Sequence, residues 1–251
     1  MNDPSLEKEK KKSRIEMNQD GWICLLDGKS WSRLLYPNPV CFLSTTNKNE
    51  KSVMVLSWLT AMDNTGGFIL SMNENRHTAS ILASSSSFVL SVPVHGMESL
   101  IQMVGKTSTK WGSKFPQDYT TTTDVPPIEQ NTTTLGSHRK RKKMQSSSHV
   151  QSHGIAGLNE IYLPSTSNNE EDVFGIDGCV AHLQCHVNQV ITSMNHHHIL
   201  QCQVQMAHVR TDYWDSSMSL FTPTSNQHPP YLSFLGSQQF ATIQPINQND
   251  T

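Results

Sequence analysis

The sequence predicts a mostly β fold: about six strands, mostly antiparallel, arranged as a barrel or sandwich with two short helices. Three observations predict it. Short runs of apolar and β-branched residues recur between polar turns, as in Val40-Cys41-Phe42-Leu43-Ser44-Thr45-Thr46. Two later stretches alternate: Leu183, Cys185 and Val187 against His182, Gln184 and His186, then Leu200, Cys202, Val204 and Met206 against Gln201, Gln203 and Gln205. That period of two gives a strand one apolar and one polar face. Helical spacing is brief by comparison: Met97, Leu100, Ile101 and Val104 lie at i, i+3, i+4 and i+7.

Taken in chain order, residues 1–20 carry the charge run Lys8–Arg14 and are expected to form a disordered start. Trp22–Trp31 mixes apolar and turn residues and suits a short edge element or helix. Val40–Thr46, the turn Asn47-Lys48-Asn49-Glu50 and Ser52–Trp58 read as a β-hairpin. The turn Asp63-Asn64-Thr65-Gly66-Gly67 precedes a third strand, Phe68–Met72. Thr78–Ala83 reads as a short helix, and Phe88–Val92 as a fourth strand closed by Pro93. The loop Thr192-Ser193-Met194-Asn195 then joins the two alternating strands. With that turn, Val187 faces Leu200, Cys185 faces Cys202 and Leu183 faces Val204. Phe240–Ile243 supplies a last short strand, and 245–251 a tail.

Residues 116–172 break the pattern. Thr120–Thr123, Thr132–Thr134, Ser146–Ser148 and Ser165–Asp172 are polar tracts. Such a stretch buries too little apolar surface to offset its conformational entropy. A long disordered insertion is therefore expected, with modest structure near Ile161-Tyr162-Leu163. It divides one folding unit into 21–115 and 173–244, together long enough for a real core.

Composition narrows the function. A net charge of −2 over 251 residues gives no global field toward nucleic acid. The first residues lack the apolar stretch of a secretory signal, and the longest apolar runs are too short to cross a bilayer. Five cysteines, an odd number without CxxC, fit reduced thiols better than a disulfide framework. A cytoplasmic protein that does not engage membranes is expected. His138-Arg139-Lys140-Arg141-Lys142-Lys143 is a candidate nuclear-import signal, a solvated linker being the plainer reading. His196-His197-His198 makes a poor chelate, because neighbours on an extended chain point in opposite directions, and no metal is expected.

The order and spacing of several blocks resemble the flavin reductase-like domain family, which includes the flavoredoxins. Tyr36-Pro37-Asn38-Pro39-Val40 with Leu43-Ser44-Thr45 resembles that family's opening strand, and Val55–Thr60 its flavin-contacting strand end. Asn75-Arg76-His77-Thr78-Ala79-Ser80-Ile81 is similar to its basic phosphate segment. Phe88–Pro93, the Lys-Phe pair in Trp111-Gly112-Ser113-Lys114-Phe115, Leu183–Val187 and Tyr231–Gly236 resemble further blocks. The resemblance implies a six-stranded antiparallel Greek-key split β-barrel that binds flavin mononucleotide (FMN) as a homodimer. It also implies hydride transfer from NADH or NADPH through FMN to a small acceptor. The chain departs from the family at Thr65-Gly66-Gly67, where Asp-Pro-Pro is frequent, at Ser80 for Asn, at Cys202 for Gly and at Phe240 for Tyr.

FMN needs cations and donors at its phosphate, and an apolar slot with polar edges for its ring. Arg76 is the leading phosphate ligand, since a guanidinium grips phosphate through parallel hydrogen bonds. It stands before an expected helix start, where free N–H groups favour an anion and Thr78 is placed to cap. An ordinary surface arginine is the competing reading. Ser57, Trp58, Leu59 and Thr60 lie where a strand meets a loop, suited to the ring; Trp58 serves equally as core. Ser71, Asn73, His77 and Ser80 complete the candidate set. The same residues suit a non-catalytic FMN or electron-transfer module. The departures admit a third class, an interaction protein whose flavin pocket has decayed.

Overall fold

The computed structural model describes residues 15–17, 23–25, 34–35, 37–47, 50–108, 113–116, 154–163 and 174–243. The Lys8–Arg14 and His138–Lys143 charge runs, the tail and most of 116–172 lie outside the described residues. Among the described residues no helix is long and apolar enough to cross a membrane.

One antiparallel sheet organises the chain. Its strands are β1 (Cys41–Asn47), β2 (Glu50–Leu56), β3 (Leu59–Ala61), β4 (Gly67–Asn73), β5 (Ser87–Val92), β6 (Ala181–Met194) and β7 (His197–Val209). Their order is β2-β1-β5-β6-β7-β4-β3. The two edges, β2 and β3, are consecutive in sequence and joined by Ser57 and Trp58 alone. A two-residue link spans only about 10 Å, so the sheet must curl until its ends meet. The mostly β, split-barrel expectation is thereby met. Six of these strands are the ones expected; the seventh, β3, is three residues that pair with Phe68–Leu70 of β4. The expected strand near Phe240–Ile243 forms as Gln239–Thr242, in a separate sheet with Leu232–Gly236 and Asn38–Pro39.

The curled sheet encloses the first core, where Cys41, Leu43, Leu56, Phe68, Leu70, Phe88, Leu90, Cys185, Leu200 and Cys202 meet. A second core lies on the other face of β1. Val40 and Phe42 point into it, with Val53, Ile101, Val104, Phe115, Ile155, Leu158, Phe174 and Ile176. Both faces of β1 are thus covered, which is why Val40–Leu43 reads as an unbroken apolar run. Helix α1 (His77–Ser85) buries Thr78, Ile81 and Leu82. Helix α2 (Glu98–Lys106) buries Ile101 and Val104, with Met97 and Leu100 packed beside them, the face expected from spacing. Cys41, Cys179, Cys185 and Cys202 are buried free thiols.

Three expectations are corrected. The β6–β7 turn is Asn195-His196, both left-handed at φ 50° and 62°, rather than Thr192–Asn195. Together with three register shifts, this pairs Cys185 with Val204, Val187 with Cys202 and Val190 with Leu200. The apolar residues keep a common face, while individual partners slide. Ile15–Met17, expected within a disordered start, pairs with Ile23–Leu25. Part of the expected disordered insertion belongs to the fold. Glu160–Tyr162, where modest structure was expected, pairs with Phe174–Ile176 of the second part of the barrel, and Ile155 and Leu158 are buried as well. We call 154–163 together with its partner 174–176 the strap.

The strap also explains a buried polar pair. His182 and Gln184 start the polar face expected of β6, yet both are buried. Gly175 of the strap lies directly against the His182 ring. The Ser91 hydroxyl accepts from Ile176 N–H at 3.1 Å and lies 3.0 Å from His182 Nδ1, to which it can donate when the ring is neutral. Burial pushes the His182 pKa down from 6.5 to about 4; His208 adds repulsion and Asp177 opposes it weakly. Between those values the unfolded chain binds a proton that the folded chain does not. Stability should therefore rise with pH across that window, and be lost as pH is lowered through it, by at most about 1.4 kcal/mol per unit. Urea unfolding at neutral pH and at about pH 5 checks this; His182→Gln should flatten the dependence, and an equal slope in that variant would show another group at work.

Candidate functional site

Two pockets lie along the same two stretches of chain, 54–60 and 69–78. The larger, of about 390 Å³, is lined by Leu35, Asn38, Trp58, Leu59, Thr60, Ile69, Leu70, Ser71 and Ile199. The period of β4 builds its floor: Phe68, Leu70 and Met72 are buried, while Ile69, Ser71 and Asn73 alternate with them. Ser71 pairs with Ile199 and Asn73 with His197 on β7. His197 therefore shares a strand face with Ile199, and its ring lies 5.2 Å from Trp58 at 32°. Trp58 remains 41% exposed, so it forms a rim and does not fill the core. Ser71 N–H donates to the Trp58 carbonyl at 2.9 Å, fixing the rim to the floor. The result is a mostly apolar slot with an aromatic edge, within the volume range of small-molecule sites.

The smaller pocket, of about 30 Å³, is lined by Met54, Val55, Arg76, His77, Thr78, Val104, Gly105, Thr107, Ser108 and Lys114. Arg76 occupies the N-cap position of α1, and no side chain caps that end. Lys114 is 3% exposed, and its Nζ donates to the Val53 carbonyl at 2.7 Å and the Val104 carbonyl at 3.0 Å. An ammonium has three protons, so one remains for a ligand. Burial pushes the Lys114 pKa down to about 8, with repulsion from Arg76 adding to it. No carboxylate among the described residues pairs with either cation. Glu50 meets this group only through His77 Nε2. Two cations without carboxylate partners beside a helix N-terminus are an arrangement that favours an anion.

The predicted residues divide between these pockets. Trp58, Leu59, Thr60 and Ser71 line the apolar slot; Arg76, His77 and Thr78 line the cationic pocket. Ser57, Asn73 and Ser80 line neither. Asn73 Oδ1 accepts from Asn75 N–H at 2.9 Å, and the Ser80 hydroxyl donates to its own helix at the His77 carbonyl. Thr78 does not cap α1, which begins one residue earlier; its hydroxyl lies 2.9 Å from that of Ser52. Lys114 and His197 were not among the candidates. The Lys-Phe pair was a signal for Lys114, whereas His197 stood hidden in a triplet judged only as a metal chelate. Among the described residues no group of three His, Cys, Asp or Glu is placed to hold a metal ion.

The departure at Thr65-Gly66-Gly67 is a closed turn. Asp63 Oδ1 accepts from Thr65 N–H at 2.7 Å and Gly67 N–H at 2.9 Å, and Gly66 stands at φ 93°, where a side chain would be strained.

The fold matches solved flavoproteins. An FMN-binding protein from Thermus thermophilus with bound 1-cyclohex-2-enone aligns at TM-score 0.57 and 13% identity, over 87% of this chain and 91% of that one. A flavoredoxin from Methanosarcina acetivorans aligns at 0.56 and 14%, over 94% of each chain. The NADH:FAD oxidoreductase SgcE6 of Streptomyces globisporus C-1027 aligns at 0.51 and 13%, over 88% of this chain and 95% of that one. No curated protein matches by sequence. Residues 32–136 match the family model described as flavin reductase like domain. That stretch, which is similar to a flavin reductase like domain, holds the apolar slot's aromatic rim and both cations of the smaller pocket, and the chain's fold is the one shared with these structures.

Proposed function

We propose that the protein binds FMN across the two pockets and works as an FMN-dependent NAD(P)H oxidoreductase. One observation carries the reading: Arg76 and Lys114, both without carboxylate partners, flank the uncapped start of α1, and the same chain stretches form the apolar slot. Arg76 and the third Lys114 proton hold the phosphate, relieving their mutual repulsion. A pocket this small suits a terminal phosphate, which favours FMN over FAD. Trp58, Leu59, Ile69 and Ile199 exclude water from the ring, while Thr60 and Ser71 supply polar contacts at its edge. When bound, FMN supplies the hydride relay between NAD(P)H and a small acceptor. His197 donates Nδ1–H to the Asn195 carbonyl at 3.1 Å, which leaves Nε2 as an acceptor beside Trp58.

A homodimer forms part of this proposal. Beyond His186, β6 loses its β5 partner, and its far half exposes Val190, Ile191 and Met194. Leu34 and Leu35 are also exposed, Leu35 at the slot itself. Apolar surface of this kind marks an interface.

The test is an FMN titration followed by anaerobic addition of NADH or NADPH. Saturable binding and bleaching of the flavin's visible absorbance are expected. Binding without bleaching would assign the chain to the non-catalytic modules, and no binding by folded protein would refute the flavin site.

A further inference from the structure

Resting on that reading, we infer that the strap is a positioning device for the anion pocket, acting through the backbone of Lys114. Three contacts carry this. The Ile155 N–H donates to the Lys114 carbonyl at 2.6 Å, so the strap holds the backbone of the residue whose ammonium lines the pocket. Gly154 stands at φ 52°, and a Cβ there would lie 2.6 Å from Pro116 N, so the strap meets the 114–116 backbone with no room between. Phe115 packs edge-on against Phe174 of the strap, with ring centroids 5.4 Å apart. The strap is itself tied to the barrel. Lys51 of β2 binds Glu160 and Tyr162, the Ser44 hydroxyl of β1 donates to the Phe174 carbonyl, and Ile176 N–H reaches Ser91 of β5.

The Lys114 side chain touches β2 and α2, whereas its backbone and Phe115 rest on the strap. The ammonium is aimed only while both ends are held. Residues 154–163, assigned by composition to a disordered insertion, thus contribute to ligand affinity from outside the pocket. Coupling is reciprocal: if the strap aims Lys114 at an anion, an anion on Lys114 must tighten the strap.

The experiment compares FMN with riboflavin, which has the ring without the phosphate. Wild type should favour FMN, and Gly154→Ala should cut that preference about tenfold, the loss of roughly one charge-assisted hydrogen bond, with riboflavin affinity unchanged. Hydrogen exchange on wild type provides a second readout that needs no variant to fold. The Ile155 amide should slow with FMN and not with riboflavin. A retained preference in folded Gly154→Ala, or an Ile155 amide indifferent to FMN, would overturn the strap's role. Equal affinity of wild type for the two flavins would instead refute the phosphate pocket beneath it.

Discussion

Replacing Arg76 with alanine should weaken FMN binding about 10- to 100-fold, the range for hydrogen bonds to a charged group. Arg76 is exposed, so the unliganded protein should keep its melting temperature. Riboflavin affinity should not change, because the guanidinium serves only the phosphate. Lys114→Met should weaken FMN binding similarly. It should also lower stability, since it strips the donor from the buried Val53 and Val104 carbonyls. The pH dependence has a definite sign. With the Lys114 pKa held at about 8 by burial and by Arg76, the unliganded lysine loses its charge as pH rises through that value. FMN affinity should therefore hold below about pH 8 and decline above it, and Lys114→Met should abolish the decline. Fluorescence titrations across pH check each statement. An Arg76→Ala protein that binds FMN as wild type does would remove the phosphate assignment.

Phe174→Ala should destabilise the fold by about 3–5 kcal/mol, the usual cost of deleting a buried phenyl ring. Phe174 is 1% exposed, stacks edge-on with Phe115 and lies under the Lys51 ammonium. Val190→Ala on the exposed half of β6 should change monomer stability by no more than about 0.5 kcal/mol. Urea unfolding of the two variants makes the contrast. A small effect at Phe174 would mean that the second core closes without the strap, and the positioning role would then lose its footing.

The pocket linings were legible where their residues are contiguous. Trp58-Leu59-Thr60 and Arg76-His77-Thr78 each sit at a strand end or helix start, so a local pattern and a resemblance found them. Ser80 sat in the same run, but a serine on a helix can satisfy itself on the preceding turn, as Ser80 does at His77. Lys114 and Ile199 reach the pockets only through tertiary folding. The Lys-Phe pair singled out Lys114 only by resemblance; no local pattern shows that its charge is buried, or which apolar residue of a strand faces a slot.

The sequence alone determined the mostly antiparallel β character, the six long strands and the two helices. Each follows from periodicity, which backbone geometry imposes residue by residue. It also determined that Phe42 and Leu43 lie in a strand, whereas the cover on both of that strand's faces came from the structure. Tertiary structure decided the rest. Curling brought β2 and β3 together and so placed the Trp58 rim beside β4. Bulges set the β6–β7 register, which alternation alone leaves free to slide by two. Residues 154–163 became part of the fold although the composition of 116–172 argued against it. Composition averages over a tract, whereas burial is decided one side chain at a time: Ile155 and Leu158 suffice to anchor a segment whose neighbours are polar.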